Sequence, residues 1–502
     1  MKQPTCVLFC LLVFVVVQGK VPTRWTVKTA RQQGRQLPTA LSAVHAIPRG
    51  GGATNKQAST KSLQKDSTGR PTIKANGSNN KASVSTSIFN LANNVAGAGI
   101  LTLAAGKAVS GTGWIPSLAI CLALAFCSAH TFILIGKACE MTNQQTFKGL
   151  WGYSFGEKTA WIVDSMVFIQ CFFVSIIYTG LLGDIFSALL ANVGSINPEF
   201  TTRTSIILMA AVAILWPLNM IRDLSALGFT SILGLIAVLY TVFFILYRAL
   251  DGTYSISEPI GKFVAEGALT ALPSFDKSSL WNFDINALVL VSNLGLAFIA
   301  HYNGPSYWRS LDKATSARFS KVAMSAYAIL ALIYTTTMVS GYATFGDACQ
   351  GNILLNYAAS DYLSTLGRLA TGFSIIFGFP LISNGAREGL KNASAALGWT
   401  SLSLPQNHVP LVTCLLIITT CLSIVLKDIK LVAGLTGAVM GSSLVYICPT
   451  LLYARVVRKC HGVDSPEYRS AKRNLLFIPF GLFTASMGVA MTLKNTVLAA
   501  KQ

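Results

Sequence analysis

Charge is scarce in this sequence, and acidic charge is the scarcest. Only 12% of the 502 residues are charged, 52% are hydrophobic, and 19 acids stand against 39 lysines and arginines. Because a soluble domain carries about 25% charged residues, the composition excludes a soluble protein and predicts a polytopic membrane protein. Basic clusters are not interleaved with aromatic residues, which argues against nucleic acid as a partner.

Patterns that would support catalysis or metal binding are also missing. The eleven cysteines have neither metal-ligand spacing nor the arrangement of a disulfide framework. The sequence has no HExxH motif, no GxSxG motif and no pair of aspartates within an apolar segment. We therefore expect no enzyme, no cofactor, and no metal ion other than a Na⁺ that could serve as a coupling ion.

The basic excess is concentrated at the N-terminus. Residues 1–85 contain thirteen lysines and arginines and a single acid, Asp66. Residues 1–19 combine Lys2 with a short apolar run, which is typical of a signal-like hydrophobic leader. Residues 20–85 have the composition of a disordered basic tail or of a transit peptide, and both interpretations remain open.

Eleven apolar segments follow, each of about 20 residues, the length that crosses a membrane as a helix. Their approximate cores are 86–106, 113–136, 160–183, 204–221, 226–247, 285–302, 321–343, 365–384, 409–426, 431–454 and 474–493. Basic residues such as Arg455, Arg458 and Lys459 exceed acids between the last two segments, on the same side as the basic tail. The charge bias predicts an N-terminus inside and a C-terminus outside.

The first segment is interrupted near its middle. Ser87–Leu103 reads SIFNLANNVAGAGILTL, in which three asparagines precede the turn Gly97-Ala98-Gly99. A broken membrane helix is tolerated only where protein or a water-filled cavity satisfies the freed backbone groups, and transporters bind ligands at such breaks. The alternative is a packing face of small residues.

The sixth segment contains a second interruption. Leu288–Leu311 includes Asn293, Gly295 and then the polar stretch His301–Pro305. The two interrupted segments lie five spans apart, as in an inverted repeat of five plus five helices with an eleventh helix added. Breaks at corresponding positions of two repeats are the best sequence indication of a transporter's binding site.

These segments resemble the amino acid/auxin permease family, in particular its sodium-coupled neutral amino acid transporter branch. The resemblance covers residues 84 to about 495 through ordered motifs that read SIFNLANNVAGAGIL, WPLNMIRDLSALGFTSI, AFIAHYNGPSYWRSL, GYATFGDACQGNILLNY and GFPLISNGAREGL. It implies an all-α membrane domain at 86–495 with 11 transmembrane helices, a leucine-transporter-type fold, and breaks in helices 1 and 6.

The breaks and the resemblance together indicate a substrate site and a coupling-ion site. Amides of the first break would hold the α-carboxylate of the substrate. The candidate substrate-binding residues are Gly97, Ala98, Gly99, Asn94, Phe298, His301 and Asn303. Side-chain oxygens could ligate a hard cation. The candidate coupling-ion residues are Asn93, Asn90 and Ser374.

Each of these side chains has a structural alternative. The asparagines could form hydrogen bonds between helices, and Phe298 could pack in the core. His301 could titrate and carry protons, or it could be a neutral, hydrogen-bonded structural residue.

Three charged residues lie within or at the ends of the spans. Asp164 is the only carboxylate within a predicted span, about one turn from its end, and we expect it to pair with a base from a loop. Arg387 and Glu388 match an Arg–Glu pair of the family and are expected to form a gate or a structural ion pair.

The chain departs from the family pattern at two places. Gly378 stands where the branch usually has a threonine that contributes to the sodium site, which weakens the case for sodium. Ala104-Ala105 follows the first break, where Pro-Tyr or Ser-Tyr is common, which suggests a different or roomier pocket.

The sequence thus predicts a secondary active symporter that moves amino acids, expected to be neutral, by alternating access with protons or sodium. The alternatives are an amino acid sensor of the same fold and, from a different class, an intramembrane enzyme. The expected partners are the amino acid and the lipid bilayer, with no obligate protein partner. The membrane would be a plastid envelope or other endomembrane if the leader is bipartite, and otherwise the plasma or vacuolar membrane.

Overall fold

A computed structural model describes most of the chain after residue 80. The described residues are 64–65, 71–72, 81–97, 100–101, 103, 112–191, 197–221, 228–267, 269, 272–274, 280–281, 283, 285, 287–426 and 428–499. The predicted leader at 1–19 and nearly all of the basic tail at 20–85 lie outside these residues, as do Ala98, Gly99 and Ala104-Ala105.

The chain divides into two units, Met1–Gly77 and Ser78–Gln502. The described part of the first unit is one small antiparallel pair of strands. Strand β1 (Gln64–Lys65) pairs with β2 (Pro71–Thr72), with Gln64 opposite Thr72 and Lys65 opposite Pro71.

The described part of the second unit is helical. Its α-helices are α1 (Val84–Val95), α2 (Trp114–Thr142), α3 (Phe147–Phe155), α4 (Trp161–Leu190), α5 (Arg203–Ala210), α6 (Trp216–Met220), α7 (Gly228–Leu250), α8 (Lys262–Ala265), α9 (Ala287–Ala297), α10 (Gly304–Ser310), α11 (Ser316–Phe345), α12 (Tyr362–Ala396), α13 (His408–Val425), α14 (Ile429–Thr436), α15 (Cys448–His461), α16 (Pro466–Arg473) and α17 (Phe477–Ala499). We call the end of this unit at which α1 begins the α1 face.

Ten helical stretches among the described residues are long and apolar enough to cross a membrane. Each overlaps one of the last ten predicted spans, so the prediction of an all-α, multi-pass membrane protein is confirmed. The predicted first span is represented by α1, whose 12 residues are fewer than the roughly 20 that a membrane crossing requires.

Two spans contain π-helical segments that the sequence analysis did not predict. They are Ala211–Leu215 in the fourth span and Gly437–Ile447 in the tenth. Each ends just before a proline, at Pro217 and Pro449 respectively. Proline donates no backbone hydrogen bond and its ring clashes with the carbonyl four residues earlier, so the wider π turn lets each helix continue.

Gly295 does not contribute to the second break, contrary to its predicted part there. It lies inside α9, where a Cβ added to it would lie 3.4 Å from the Gly437 carbonyl oxygen. On the other side, a Cβ on Gly437 would lie 1.9 Å from the Ser292 carbonyl oxygen. Small residues therefore bring α9 and the π segment of the tenth span into backbone contact.

The two interrupted segments are joined to each other beyond both ends of their breaks. On the α1 face, the Ala82 amide donates to the Ser310 carbonyl at 2.8 Å and the Asp312 amide donates to the Ala82 carbonyl at 2.9 Å. At the opposite end, Thr112 and Phe283 form an antiparallel bridge. These links hold the first and sixth segments together as a pair.

Candidate functional site

The first break lies directly after α1. The helix ends at Val95, and the Gly97 amide donates back to the Val95 carbonyl at 2.7 Å instead of continuing the helical pattern. A short helical turn resumes at Ile100 and Leu101. The interruption predicted from the sequence is therefore present, with Gly97 as its described glycine.

The second break separates α9 from α10. Residues 298–300 are not helical, a 3₁₀ turn follows at His301–Asn303, and α10 then begins at Gly304 with Pro305 in its first turn. Proline fits this position because the first turn of a helix has no backbone acceptor for an N–H group. This break also lies in the predicted segment.

Two tyrosines on α11 supply hydrogen bonds to backbone carbonyls at the two breaks. The Tyr334 hydroxyl lies 2.9 Å from the Val95 carbonyl oxygen and 2.9 Å from the Ala297 carbonyl oxygen, the last residues of α1 and α9. Seven residues earlier, the Tyr327 hydroxyl donates to the Phe298 carbonyl at 3.1 Å. Residues seven apart lie on the same face of a helix, so one face of α11 supports both breaks.

His301 is held by α2. Its Nε2 lies 3.0 Å from the Thr131 hydroxyl and 3.1 Å from the Ser128 carbonyl oxygen, and the side chain is fully buried. A carbonyl oxygen only accepts, so Nε2 carries the hydrogen. Nδ1 has no partner among the described residues. A charged imidazole would need an acceptor at both nitrogens, so the geometry favours a neutral histidine.

The role of His301 can be tested by substitutions that keep or remove the Nε2–H donor. We expect His301→Gln to keep KM for amino acid uptake within about threefold, because the amide retains a donor. His301→Leu should raise KM about tenfold, because the contacts of Nε2 with the Thr131 hydroxyl and the Ser128 carbonyl are then both lost. The pH profile of uptake between about pH 5 and 8, where a histidine would titrate, should match the wild type in His301→Gln, and a flattened profile would instead make His301 a titrating group.

The asparagines of α1 follow one helical face that leads to the first break. Asn90 and Asn94 are exposed, whereas Asn93 and Gly97 are half-buried. The Asn90 carbonyl accepts a hydrogen bond from the Tyr307 hydroxyl of α10 at 3.3 Å. Intramembrane polar side chains face the protein interior or a water-filled cavity, so this face is the candidate wall of a passage that leads from the α1 face to the first break.

The sixth segment contributes to the same passage. Asn303 and Tyr307 are half-buried and Ser306 is exposed, on neighbouring positions of the 3₁₀ turn and α10. On the other side of the breaks, Leu101 and Ala300 are fully buried. Polar side chains are thus exposed on the α1 side of the breaks, whereas Leu101 and Ala300 on the other side are covered by protein.

Tyr178 of α4 lies between glycines of two other helices. A Cβ on Gly97 would lie 2.7 Å from the Tyr178 hydroxyl oxygen, and a Cβ on Gly378 of α12 would lie 3.5 Å from its Cε2. Where the family pattern has a threonine, this chain has Gly378 and the ring of Tyr178 beside it. The tyrosine thus occupies space between the first break and α12.

Two candidate residues have different surroundings from those of the breaks. The Ser374 hydroxyl is directed at the Gly234 carbonyl of α7, at 3.4 Å. Phe298 is fully buried, and its ring centroid lies 5.0 Å from that of Tyr334. Phe298 therefore adopts the core-packing alternative in this conformation.

The predicted ion pairs are present. The Lys148 ammonium, on α3, lies 3.0 Å from Oδ2 of Asp164, as expected for an acid near the end of a span that pairs with a loop base. Arg387 Nε lies 3.2 Å from Glu388 Oε1, which also contacts Lys391 at 3.2 Å. An uncompensated charge at either place would be costly.

Sequence reasoning missed the residues that hold the breaks, namely Tyr334, Tyr327 and Thr131. Their spacing offers a weak signal, since two tyrosines seven residues apart in an apolar helix mark one polar-tipped face. Their partners cannot be read locally, because Val95 lies more than two hundred residues before Tyr334.

Comparisons with known proteins agree with this geometry. A family model described as transmembrane amino acid transporter protein matches residues 80–494. A Danio rerio protein provisionally named sodium-coupled neutral amino acid transporter 11 is 28% identical over 391 residues, which cover 77% of this chain and 82% of that protein. Vacuolar amino acid transporter 5 of Schizosaccharomyces pombe is 25% identical over 381 residues, which cover 74% of this chain and 84% of that protein.

A solved structure has a similar fold. Mhp1 in an inward-facing conformation matches with a TM-score of 0.52 at 12% identity, covering 84% of this chain and 92% of that chain. At this identity the likeness concerns the fold alone, and it confirms the predicted leucine-transporter-type architecture. Since the family model spans most of the sequence, this chain belongs to the transmembrane amino acid transporter protein family.

Proposed function

We propose that this protein is a secondary active transporter that carries neutral amino acids across a membrane by alternating access. The observation that supports this most directly is the meeting of two broken helices, five spans apart, on one tyrosine hydroxyl. Freed amides and carbonyls at such a place can hold both ends of a zwitterionic amino acid. Transport fits this arrangement better than catalysis, because the family is one of transporters.

The proposed substrate site lies between the breaks. Gly97, with Ala98 and Gly99, would offer backbone amides to the α-carboxylate. Asn94 and Asn303 line the passage that leads there, and Nδ1 of His301 is an acceptor that no described residue satisfies. The ring of Phe298 would set the depth of the pocket.

The hydrogen bonds suggest which helices move together. The breaks are tied to α2 through His301 and to α11 through Tyr327 and Tyr334. Toward α4 the second break makes a weaker contact, with Cys171 Sγ 4.0 Å from the Tyr302 hydroxyl. We therefore infer that the first, second, sixth and seventh spans rock as one body against the others.

We infer that the α1 face is the inner side of the membrane. Exposed Arg455, Arg458 and Lys459 lie where α15 ends on that face, and inner loops carry the excess of basic residues. The exposed polar side chains of α1 and α10 would then line a passage that is open to the inside, with the N-terminus inside and the C-terminus outside. The name of the vacuolar relative favours an endomembrane as the location.

Either sodium or protons could drive transport. The name of the Danio rerio relative favours sodium, with Asn93 and Asn90 as the nearest side-chain oxygens and Ser374 as a further candidate. Gly378 and the adjacent Tyr178 ring favour protons, because the hydroxyl expected on α12 is absent and its surroundings are filled.

Reconstitution tests the proposal and separates the two ions. Purified protein in liposomes should accumulate labelled neutral amino acids several-fold above the level in protein-free liposomes when an inward gradient of its coupling ion is imposed. Sodium and proton gradients are applied separately, with choline replacing sodium in the proton experiment. Binding of amino acids without uptake under either gradient would contradict a transporter and favour a sensor.

A further inference from the structure

We propose that Tyr334 is the residue that positions the two breaks relative to each other and thereby sets the geometry of the amino acid site. The role of Tyr334 in substrate binding rests on the proposed transport function, whereas its contacts with the two breaks do not depend on that function. Tyr334 is fully buried on α11, within 2.9 Å of the last carbonyl oxygen of both α1 and α9.

In this contact one hydrogen-bond donor serves two acceptors. A phenolic hydroxyl has one hydrogen to donate, while the two carbonyls can only accept. This one hydrogen is therefore shared between the two helix ends. When one carbonyl accepts the hydrogen fully, the other loses its partner at the hydroxyl. Both carbonyl oxygens must stay within hydrogen-bond distance of this one hydroxyl to share its hydrogen, so the contact favours one separation of the two helix ends.

The position of the hydroxyl has a second consequence. The C-terminal end of a helix carries partial negative charge, so two such ends pointing at one place attract a positive group. Transporters can place a cation between unwound carbonyls and half-helix ends. Here the polarised O–H of Tyr334 lies 2.9 Å from both carbonyl oxygens and is the positive group that these helix ends share.

Tyr327 provides a matched control on the same face of α11. It is also buried, and its hydroxyl also donates to a break carbonyl, but only to Phe298 of the sixth segment. Removing its hydroxyl should therefore affect one break, whereas removing that of Tyr334 should affect both. Both substitutions delete a phenolic oxygen, so a difference between them reflects the position of the hydroxyl and not the kind of atom removed.

Hydrogen exchange measured by mass spectrometry on the full-length protein in lipid nanodiscs, without substrate, tests the proposal. The probes are the amides of Ala96 and Gly97 in the first break and of Phe298 and Ile299 in the second. Tyr334→Phe should speed exchange about tenfold at both breaks, the effect of losing one hydrogen bond. Tyr327→Phe should speed it only at the second. Acceleration at a single break in Tyr334→Phe, or at both in Tyr327→Phe, would overturn the proposal.

Two further measurements keep the proposal testable if a variant misfolds or if the transport assay fails. In the wild type, protection at the two breaks should agree within about threefold and fall together on warming, as for one cooperative opening; protection that falls at different temperatures would overturn the proposal without any variant. Where uptake is measurable, Tyr334→Phe should raise KM about tenfold, and this rise should exceed that in Tyr327→Phe, which loosens only one of the two breaks. Because the exchange assay needs no substrate, its outcome is independent of whether transport is found.

Discussion

Gly97→Ala is expected to reduce amino acid uptake by about 10- to 100-fold, the range for displacement of a positioning group near a reacting or binding centre. The new Cβ would lie 2.7 Å from the Tyr178 hydroxyl oxygen, closer than a carbon and an oxygen can approach. Either the break or the tyrosine must shift. Initial uptake rates in proteoliposomes, normalised to the amount of inserted protein, measure the loss.

A second substitution and a control show whether the hydroxyl is the cause. Tyr178→Phe removes the clashing atom, so the double variant Gly97→Ala/Tyr178→Phe should recover most of the uptake of Tyr178→Phe alone. In Gly378→Ala the new Cβ would lie 3.5 Å from the same ring, an ordinary contact distance, so this substitution should be tolerated. Equal losses in Gly97→Ala and Gly378→Ala, or no recovery in the double variant, would show that the loss arises elsewhere.

The spans and the breaks could be predicted from the sequence because each is a property of a short stretch. A run of about 20 apolar residues specifies a crossing by its length alone. A cluster of glycine, proline and polar residues within such a run favours a break, because proline lacks the N–H donor and glycine has a low helix propensity. This is why Gly97 and Pro305 indicated the two breaks, and why the family motifs indicated the fold.

The partners of the breaks could not be predicted, because they depend on which helices meet. Tyr334 serves Val95 and Ala297 only after the first, sixth and seventh spans have packed together. The same dependence explains why the neighbours of two candidate residues could not be predicted: the Ser374 hydroxyl is directed at α7, and Phe298 packs on Tyr334. Gly295, read as part of a break, is a packing contact because Gly437 lies opposite it.

A second structural centre lies at the end of the helical unit opposite the α1 face. Asp361 is fully buried and caps α12 by accepting from the Leu363 amide at 3.0 Å. Arg248 of α7 forms a bidentate pair with it, at 2.9 and 2.6 Å, and the Tyr254 hydroxyl donates to it at 2.9 Å. Burial and the neighbouring charge of Asp361 raise the pKa of Tyr254, which keeps this hydroxyl a donor.

Asp361→Asn is expected to lower the stability of the protein by about 3–5 kcal/mol, the cost of removing one partner of a buried ion pair. The amide of asparagine has an oxygen that accepts and a nitrogen that donates. Because the Arg248 guanidinium only donates, the bidentate pair could not form. The midpoint of thermal unfolding in detergent, followed with a thiol-reactive dye on the native cysteines, should fall clearly below that of the wild type.

Asp251→Asn is the matched control, because Asp251 pairs with the same arginine at 2.6 Å but at a partly exposed position three residues along the chain. Ion pairs near the surface contribute about 0–1 kcal/mol, so its midpoint should fall much less. Adding Arg248→Met to Asp361→Asn should cause little further loss, because the two side chains act as one unit. Equal small falls in both single variants would mean that Asp361 gains nothing from its burial, and additive losses in the double variant would mean that the pair is not coupled.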